Sequence, residues 1–128
     1  MPKKILIADD NEDLRSLLAY QLQLRGYQIV TAADGVQAVD KCRAEKPDLV
    51  LLDVIMPGMD GAEAGAALHE DPALQNIPVI FLTALVHGTE GKAHEEGSNR
   101  YTLPKSISVD ELATKIEEIL TKPSEGLI

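Results

Sequence analysis

Leu49-Val50-Leu51-Leu52-Asp53-Val54-Ile55-Met56-Pro57-Gly58-Met59-Asp60-Gly61 is the stretch that decides the fold. Four consecutive aliphatic residues, with no polar alternation, suit a short strand covered on both faces, as strands of parallel sheets are. The run stops at a carboxylate and opens into a loop rich in proline and glycine. Open α/β sheets carry their chemistry at such carboxyl ends of strands. A second apolar run, Ile5-Leu6-Ile7-Ala8, ends in Asp9-Asp10. If the two strands are parallel neighbours, three carboxylates converge at one sheet edge. That cluster repels itself and needs a cation, a proton or a lysine beside it.

Working outward, strand-like and helix-like segments alternate along the chain. Lys3 to Ala8 reads as a strand and Asn11 to Arg25 as a helix, with Leu14, Leu17, Leu18 and Leu22 at helical spacing. Asp10 or Asn11 can cap that helix and Gly26 can end it. Gln28 to Ala32 is a second strand. Val36 to Ala44 is a helix stopped before Lys46-Pro47. Ala62 to His69 is an alanine-rich helix suited to close packing on a sheet. Val79 to Leu82 is a fourth strand, ending at Thr83-Ala84. The segment from His87 to Glu96 carries Gly88 and Gly91 and predicts a poor helix. Arg100 to Leu103 is the fifth strand. Ser108 and Glu111 have capping-box spacing ahead of Leu112, Ile116, Ile119 and Leu120. The expected fold is α/β, a doubly wound sheet of five parallel strands in the order 2-1-3-4-5, with helices on both faces. Residues 1–121 are expected to form one domain and 122–128 a loose tail.

Composition narrows the function. The chain has 128 residues, 45% hydrophobic but only 3% aromatic, so the core must be aliphatic. A formal net charge of −9 argues against direct nucleic-acid binding through a broad basic face. Cys42 is the one cysteine, so no internal disulfide can form, and a reducing, cytoplasmic location is expected. Cys42 is in phase with Val36 and Val39, which predicts a packed thiol. No apolar run approaches the roughly 18 residues of a membrane span. His69, His87 and His94 have no zinc-binding spacing.

The strand ends carry Asp9-Asp10, Asp53, Thr83 and Lys105, each polar after an apolar run. Carboxylates are hard ligands that suit Mg²⁺, which is usually held by one or two of them plus a phosphate. Asp53 can then act as a nucleophile and form an acyl phosphate. A lysine ammonium and a threonine hydroxyl suit the phosphoryl oxygens.

The ordered set Ile5-Leu6-Ile7-Ala8-Asp9-Asp10-Asn11, Leu51 to Gly61, Ile80-Phe81-Leu82-Thr83-Ala84 and Leu103-Pro104-Lys105 resembles the receiver domain of the two-component response-regulator family, over about residues 3 to 121. The resemblance implies that Asp53 accepts a phosphoryl group from a histidine kinase or phosphotransfer protein, and that binding of a downstream protein target changes in response. It implies Mg²⁺ bound by Asp10, Asp53 and the main-chain carbonyl of Ile55, with Asp9 acting mostly through water. It places Thr83 and Lys105 on the phosphoryl oxygens and implies slow hydrolysis of the phosphoaspartate at the same site. Such a protein catalyses its own modification rather than turning over a substrate. The start at Met1 favours a stand-alone regulator over a domain cut from a hybrid kinase.

Two positions depart from the family pattern. Ser106 follows the lysine where the family has proline after a cis bond, and a cis bond before a non-proline residue costs about 3–4 kcal/mol. Thr102 stands three before Lys105, where the family has its switch aromatic; Tyr101 takes that role only if a bulge shifts the register. An interaction module that works without phosphorylation is the alternative. A metal-dependent phosphatase would need an acid aspartate two residues after Asp9, and that residue is the amide Asn11. A flavin-binding sheet would need a hydroxyl-rich phosphate loop after the first strand, which is missing.

Overall fold

The computed structural model describes residues 2–56, 58–84, 94–95 and 99–121. Its elements run β1 (Lys4–Ala8), α1 (Glu12–Leu24), β2 (Gln28–Ala32), α2 (Gly35–Glu45), β3 (Leu49–Asp53), α3 (Gly61–Glu70), β4 (Val79–Thr83), β5 (His94–Glu95), β6 (Arg100–Pro104) and α4 (Val109–Thr121). The sheet order is β2-β1-β3-β4-β6-β5. Its five long strands are all parallel and follow the expected 2-1-3-4-5 order. The edge is a correction. His94 and Glu95, expected in a helix, are extended and pair antiparallel with Thr102 and Tyr101. The rest of the expected 87–96 helix, and the tail 122–128, lie outside the described residues.

Strand alternation divides the core in two. Leu6, Ala8, Val50, Leu52 and Val79 face α2 and α3, where Ala38, Val39, Cys42, Ala64 and Leu68 pack on them. Ile5, Ile7, Leu49, Leu51, Ile80, Leu82, Tyr101 and Leu103 face α1 and α4, against Leu22, Leu112, Ala113 and Ile116. Both layers are almost wholly aliphatic, as the composition requires. Cys42 is fully buried, and burial pushes its thiol up to about 12, so it is an inert packing group. Val36, expected on the same packed face, is instead exposed, because α2 turns it towards solvent. Leu14 and Leu17 are likewise exposed, and α1 is anchored through Leu22 with Leu18 and Ala19.

Local chemistry sets the helix ends. Asn11 caps α1, its side chain accepting from Leu14 N, and Gly26 follows at φ 98°, a left-handed conformation that glycine adopts without strain. Asp60 and Glu63 form a full capping box at the start of α3. Ser108 accepts from Glu111 N at 3.1 Å, satisfying the spacing read from the sequence.

Two glycines seat the loop after β3. Gly61 N donates to Val54 O and Gly35 N to Met59 O. A Cβ on Gly61 would collide with the main chain of Asp53 and Val54, and one on Gly35 with the main chain of Met59. The obstacle is backbone on both sides, so neither clash can be relieved by a rotamer change. Gly61→Ala is therefore expected to destabilise the fold by about 2–3 kcal/mol, the usual scale of overpacking. Chemical denaturation measures this, and an unchanged midpoint would show that the 54–60 loop yields freely.

Candidate functional site

Register alone brings the acidic groups together. Ala8 pairs with Leu52, so the residues that follow each strand emerge side by side. Asp9 continues the phase of Ile5 and Ile7, Asp53 that of Leu49 and Leu51, and Lys105 that of Tyr101 and Leu103. All three thus lie at the same end of the sheet, on the same side of it. The strand ends are tied across the sheet by Asp9 N to Ala32 O, Val54 N to Leu82 O and Lys105 N to Thr83 O, at 2.8 to 3.1 Å.

Asp9 and Asp53 are only 6% and 4% exposed, the two buried charged residues of the described core. Asp10 beside them is exposed. One oxygen from each of Asp9, Asp10 and Asp53 can be chosen so that all lie within 4.8 Å of one another. Lys105 Nζ donates to Asp53 Oδ2 at 2.9 Å and sits 3.4 Å from Asp9 Oδ2. The other Asp53 oxygen, Oδ1, accepts from Ile55 N at 3.3 Å. Asp9 Oδ1 accepts from Asn11 N at 2.9 Å.

The electrostatics show crowding. Burial, reinforced by the Asp9 charge, raises the pKa of Asp53 above the ordinary carboxylate value, although Lys105 and the Ile55 N–H pull it down. For Lys105, burial disfavours the ammonium, but the hydrogen bond to Asp53 and the charges of Asp9 and Asp53 outweigh it and raise its pKa. The signs differ in consequence. The folded state binds the Asp53 proton more tightly than the unfolded chain does, so stability falls as pH climbs through the carboxylate range. Lys105 contributes stability at neutral pH that is lost only above the ordinary ammonium range. Three carboxylates facing one ammonium form a hard-oxygen pocket that could take a divalent cation.

The other expected residues fall as follows. Thr83 ends β4, half-buried, opposite Pro104 of β6. Ile55, whose N–H reaches Asp53, is 60% exposed. The Lys105–Ser106 peptide is trans, as no described bond is cis. Pairing of β4 with β6 is regular from Val79↔Arg100 to Thr83↔Pro104, with no bulge. Tyr101 therefore stays in the phase that packs against α1 and α4, 7% exposed, while half-exposed Thr102 lies beside Phe81 on the other face. Sequence reading missed Arg15, whose Nη1 donates to the main-chain carbonyl of Asp9 at 2.7 Å.

The family model for the response regulator receiver domain matches residues 5–117. The chain belongs to that family. It is 44% identical over 84 residues to the alkaline phosphatase synthesis transcriptional regulatory protein PhoP of Bacillus subtilis, covering 66% of this chain and 34% of that protein. It is 34% identical over 121 residues to the polar-differentiation response regulator DivK of Brucella anthropi, covering 94% of this chain and 98% of DivK. Among solved structures, the chemotaxis protein CheY4 of Vibrio cholerae superposes with a TM-score of 0.80 at 26% identity, over 93% of this receiver and 99% of CheY4. The receiver thus spans about a third of the PhoP relative and nearly all of DivK. No helix among its described residues is long and apolar enough to cross a membrane.

The crowded pocket makes opposite expectations for two substitutions in metal-free buffer at neutral pH. Asp53→Asn removes a buried charge while keeping an acceptor for Lys105, and is expected to raise the melting temperature by about 4 °C, equivalent to roughly 1 kcal/mol. Lys105→Met leaves Asp9 and Asp53 facing without their cation and is expected to cost about 1–2 kcal/mol, scaled down from a fully buried pair because the lysine is partly exposed. Calorimetric melts check both; a loss of stability in Asp53→Asn would mean that Lys105 fully compensates the carboxylates.

Proposed function

We propose that this receiver is a phosphorylation-dependent switch in which Asp53 is the phosphoacceptor. The observation that carries the reading is the pairing of buried Asp53 with Lys105 Nζ at 2.9 Å, within reach of the Asp9 and Asp10 carboxylates. A carboxylate so placed is a nucleophile with a counter-charge already beside it. An oxygen of Asp53 attacks phosphorus, the bond from phosphorus to the donor breaks, and the leaving group of the donor carries away the electron pair. With a phosphohistidine of a kinase or phosphotransfer protein as donor, protonated on its other ring nitrogen, the leaving group takes the N–P electron pair and departs as a neutral imidazole. Lys105, now bonded to Asp53 Oδ2, and the hydroxyl of Thr83 would then serve the phosphoryl oxygens.

Asp10, Asp53 and the main-chain carbonyl of Ile55 would hold Mg²⁺, with Asp9 contributing through water and through its contact with Lys105. The donor set is all oxygen, the preference of that ion. When bound, Mg²⁺ neutralises charge on the transferring group and on the crowded carboxylates. Hydrolysis of the phosphoaspartate at the same site resets the switch.

A dianionic group at Asp53 changes what Thr83 and Lys105 can bond, and the two occupied states then favour different arrangements of the surface beyond β4 and β6. Nearly complete switching, from 1:99 to 99:1, needs roughly 5.5 kcal/mol of differential stabilisation. The readout is binding of a downstream protein target. Tyr101 would take part in that response only by moving within the packed layer under α1 and α4. Thr102 in the family's aromatic position and a trans Lys105–Ser106 bond favour a second reading, an interaction module that works without phosphorylation.

Acetyl phosphate with Mg²⁺ separates the two. Wild type is expected to gain one phosphoryl mass, Asp53→Asn none, and Thr83→Ala to be modified while losing the backbone shift changes that follow modification in wild type. Intact-protein mass spectrometry and amide NMR provide the readings. Equal labelling of Asp53→Asn would remove Asp53 as acceptor, and an unlabelled wild type would leave the phosphorylation-free module.

A further inference from the structure

Asp10 is the exposed member of the acidic cluster, and among the described residues its carboxylate makes no hydrogen bond of its own. Its position is set by the main chain that carries it. The preceding residue is fixed at nearly every polar atom. Asp9 N donates to Ala32 O at 3.1 Å, and its carboxylate accepts from Asn11 N at 2.9 Å and faces Lys105 at 3.4 Å. The remaining group, the Asp9 carbonyl, belongs to the peptide that joins Asp9 to Asp10. It is this carbonyl that Arg15 Nη1 holds at 2.7 Å.

Arg15 sits in the first turn of α1, where Arg15 N donates to Asn11 O. A solvated arginine there would extend into water. Instead its half-buried side chain folds back over the start of the helix onto a carbonyl six residues earlier. We infer that Arg15 is a positioning residue for the cation pocket: by locking the Asp9–Asp10 peptide to α1, it sets where the Asp10 carboxylate points. This deepens the reading of the site as a Mg²⁺ pocket and rests on it. The guanidinium has two effects of opposite sign. As an anchor it favours cation binding, and as a positive charge near the pocket it opposes it. Hydrogen-bonded partners of metal-ligating groups commonly change affinity by about tenfold or more when removed, so the anchor is expected to dominate.

The test uses the full chain and MgCl₂ in isothermal titration calorimetry. Arg15→Met keeps much of the stem and removes donor and charge. Arg15→Lys keeps a charged donor of nearly the same reach. Arg43→Met makes the same charge change on α2, where Arg43 pairs with Asp40 and Asp71 away from the pocket. The expected result is a Kd for Mg²⁺ about tenfold weaker in Arg15→Met, recovered by at least half in Arg15→Lys and unchanged in Arg43→Met. Amide NMR without metal is expected to show the disturbance at Asp10 and Asn11 in Arg15→Met, with dispersion elsewhere retained. Equal or tighter Mg²⁺ binding by Arg15→Met, no recovery in Arg15→Lys, or an equal loss in Arg43→Met overturns the inference. If Arg15→Met does not fold, the lysine variant decides: it must hold Mg²⁺ within about threefold of wild type, well inside the tenfold expected for loss of the anchor. Wild-type protein that takes up no Mg²⁺ would fell the reading of the pocket itself, whereas wild-type uptake with an indifferent Arg15→Met fells only the role of Arg15.

Discussion

The confinement of like charge at the carboxyl edge of the sheet is the constraint on which the structure turns. Asp9 and Asp53 are buried beside each other with Asp10 at their rim, and Lys105 is the cation that the described chain supplies. Burial and mutual repulsion outweigh that lysine at Asp53, which is why its pKa is raised rather than depressed. A folded domain tolerates such a site only when the surrounding framework is over-determined. Here that framework is two aliphatic layers clamped on a parallel sheet, so the strain at the edge is set against a large buried area in the middle.

The same arrangement ties the site to the body of the sheet. Asp53, Thr83 and Lys105 end three adjacent strands, β3, β4 and β6, and the strand ends are joined by main-chain hydrogen bonds. In the proposed switch, a new group at Asp53 would change what Lys105 and Thr83 can bond. Close packing makes the strands poor absorbers of displacement. The loop after β3 is held at one end by Gly61 N on Val54 O and at the other by Gly35 N on Met59 O.

The sequence by itself determined the alternation of strands and helices, because aliphatic runs and caps are local properties. Asn11 and Ser108 each cap the helix that their spacing announces. It also determined which carboxylates, and which lysine, end strands, since each follows an apolar run directly. Composition required the aliphatic core, and helical phase with Val39 put Cys42 in it. The tertiary structure alone decided the register. Regular pairing of β4 with β6 puts Tyr101 into the packed layer and Thr102 beside Phe81, a choice that turns on a single-residue shift invisible in spacing. It also decided the extended pairing of His94 and Glu95 where local pattern suggested a helix, since hydrogen bonds to Tyr101 and Thr102 override a weak propensity. Val36 faced solvent for a similar reason: helical phase names a face, but only the neighbours say which part of it is covered. The grip of Arg15 on the Asp9 carbonyl left no trace in the sequence, because it depends on how α1 leaves β1, which is decided by tertiary packing.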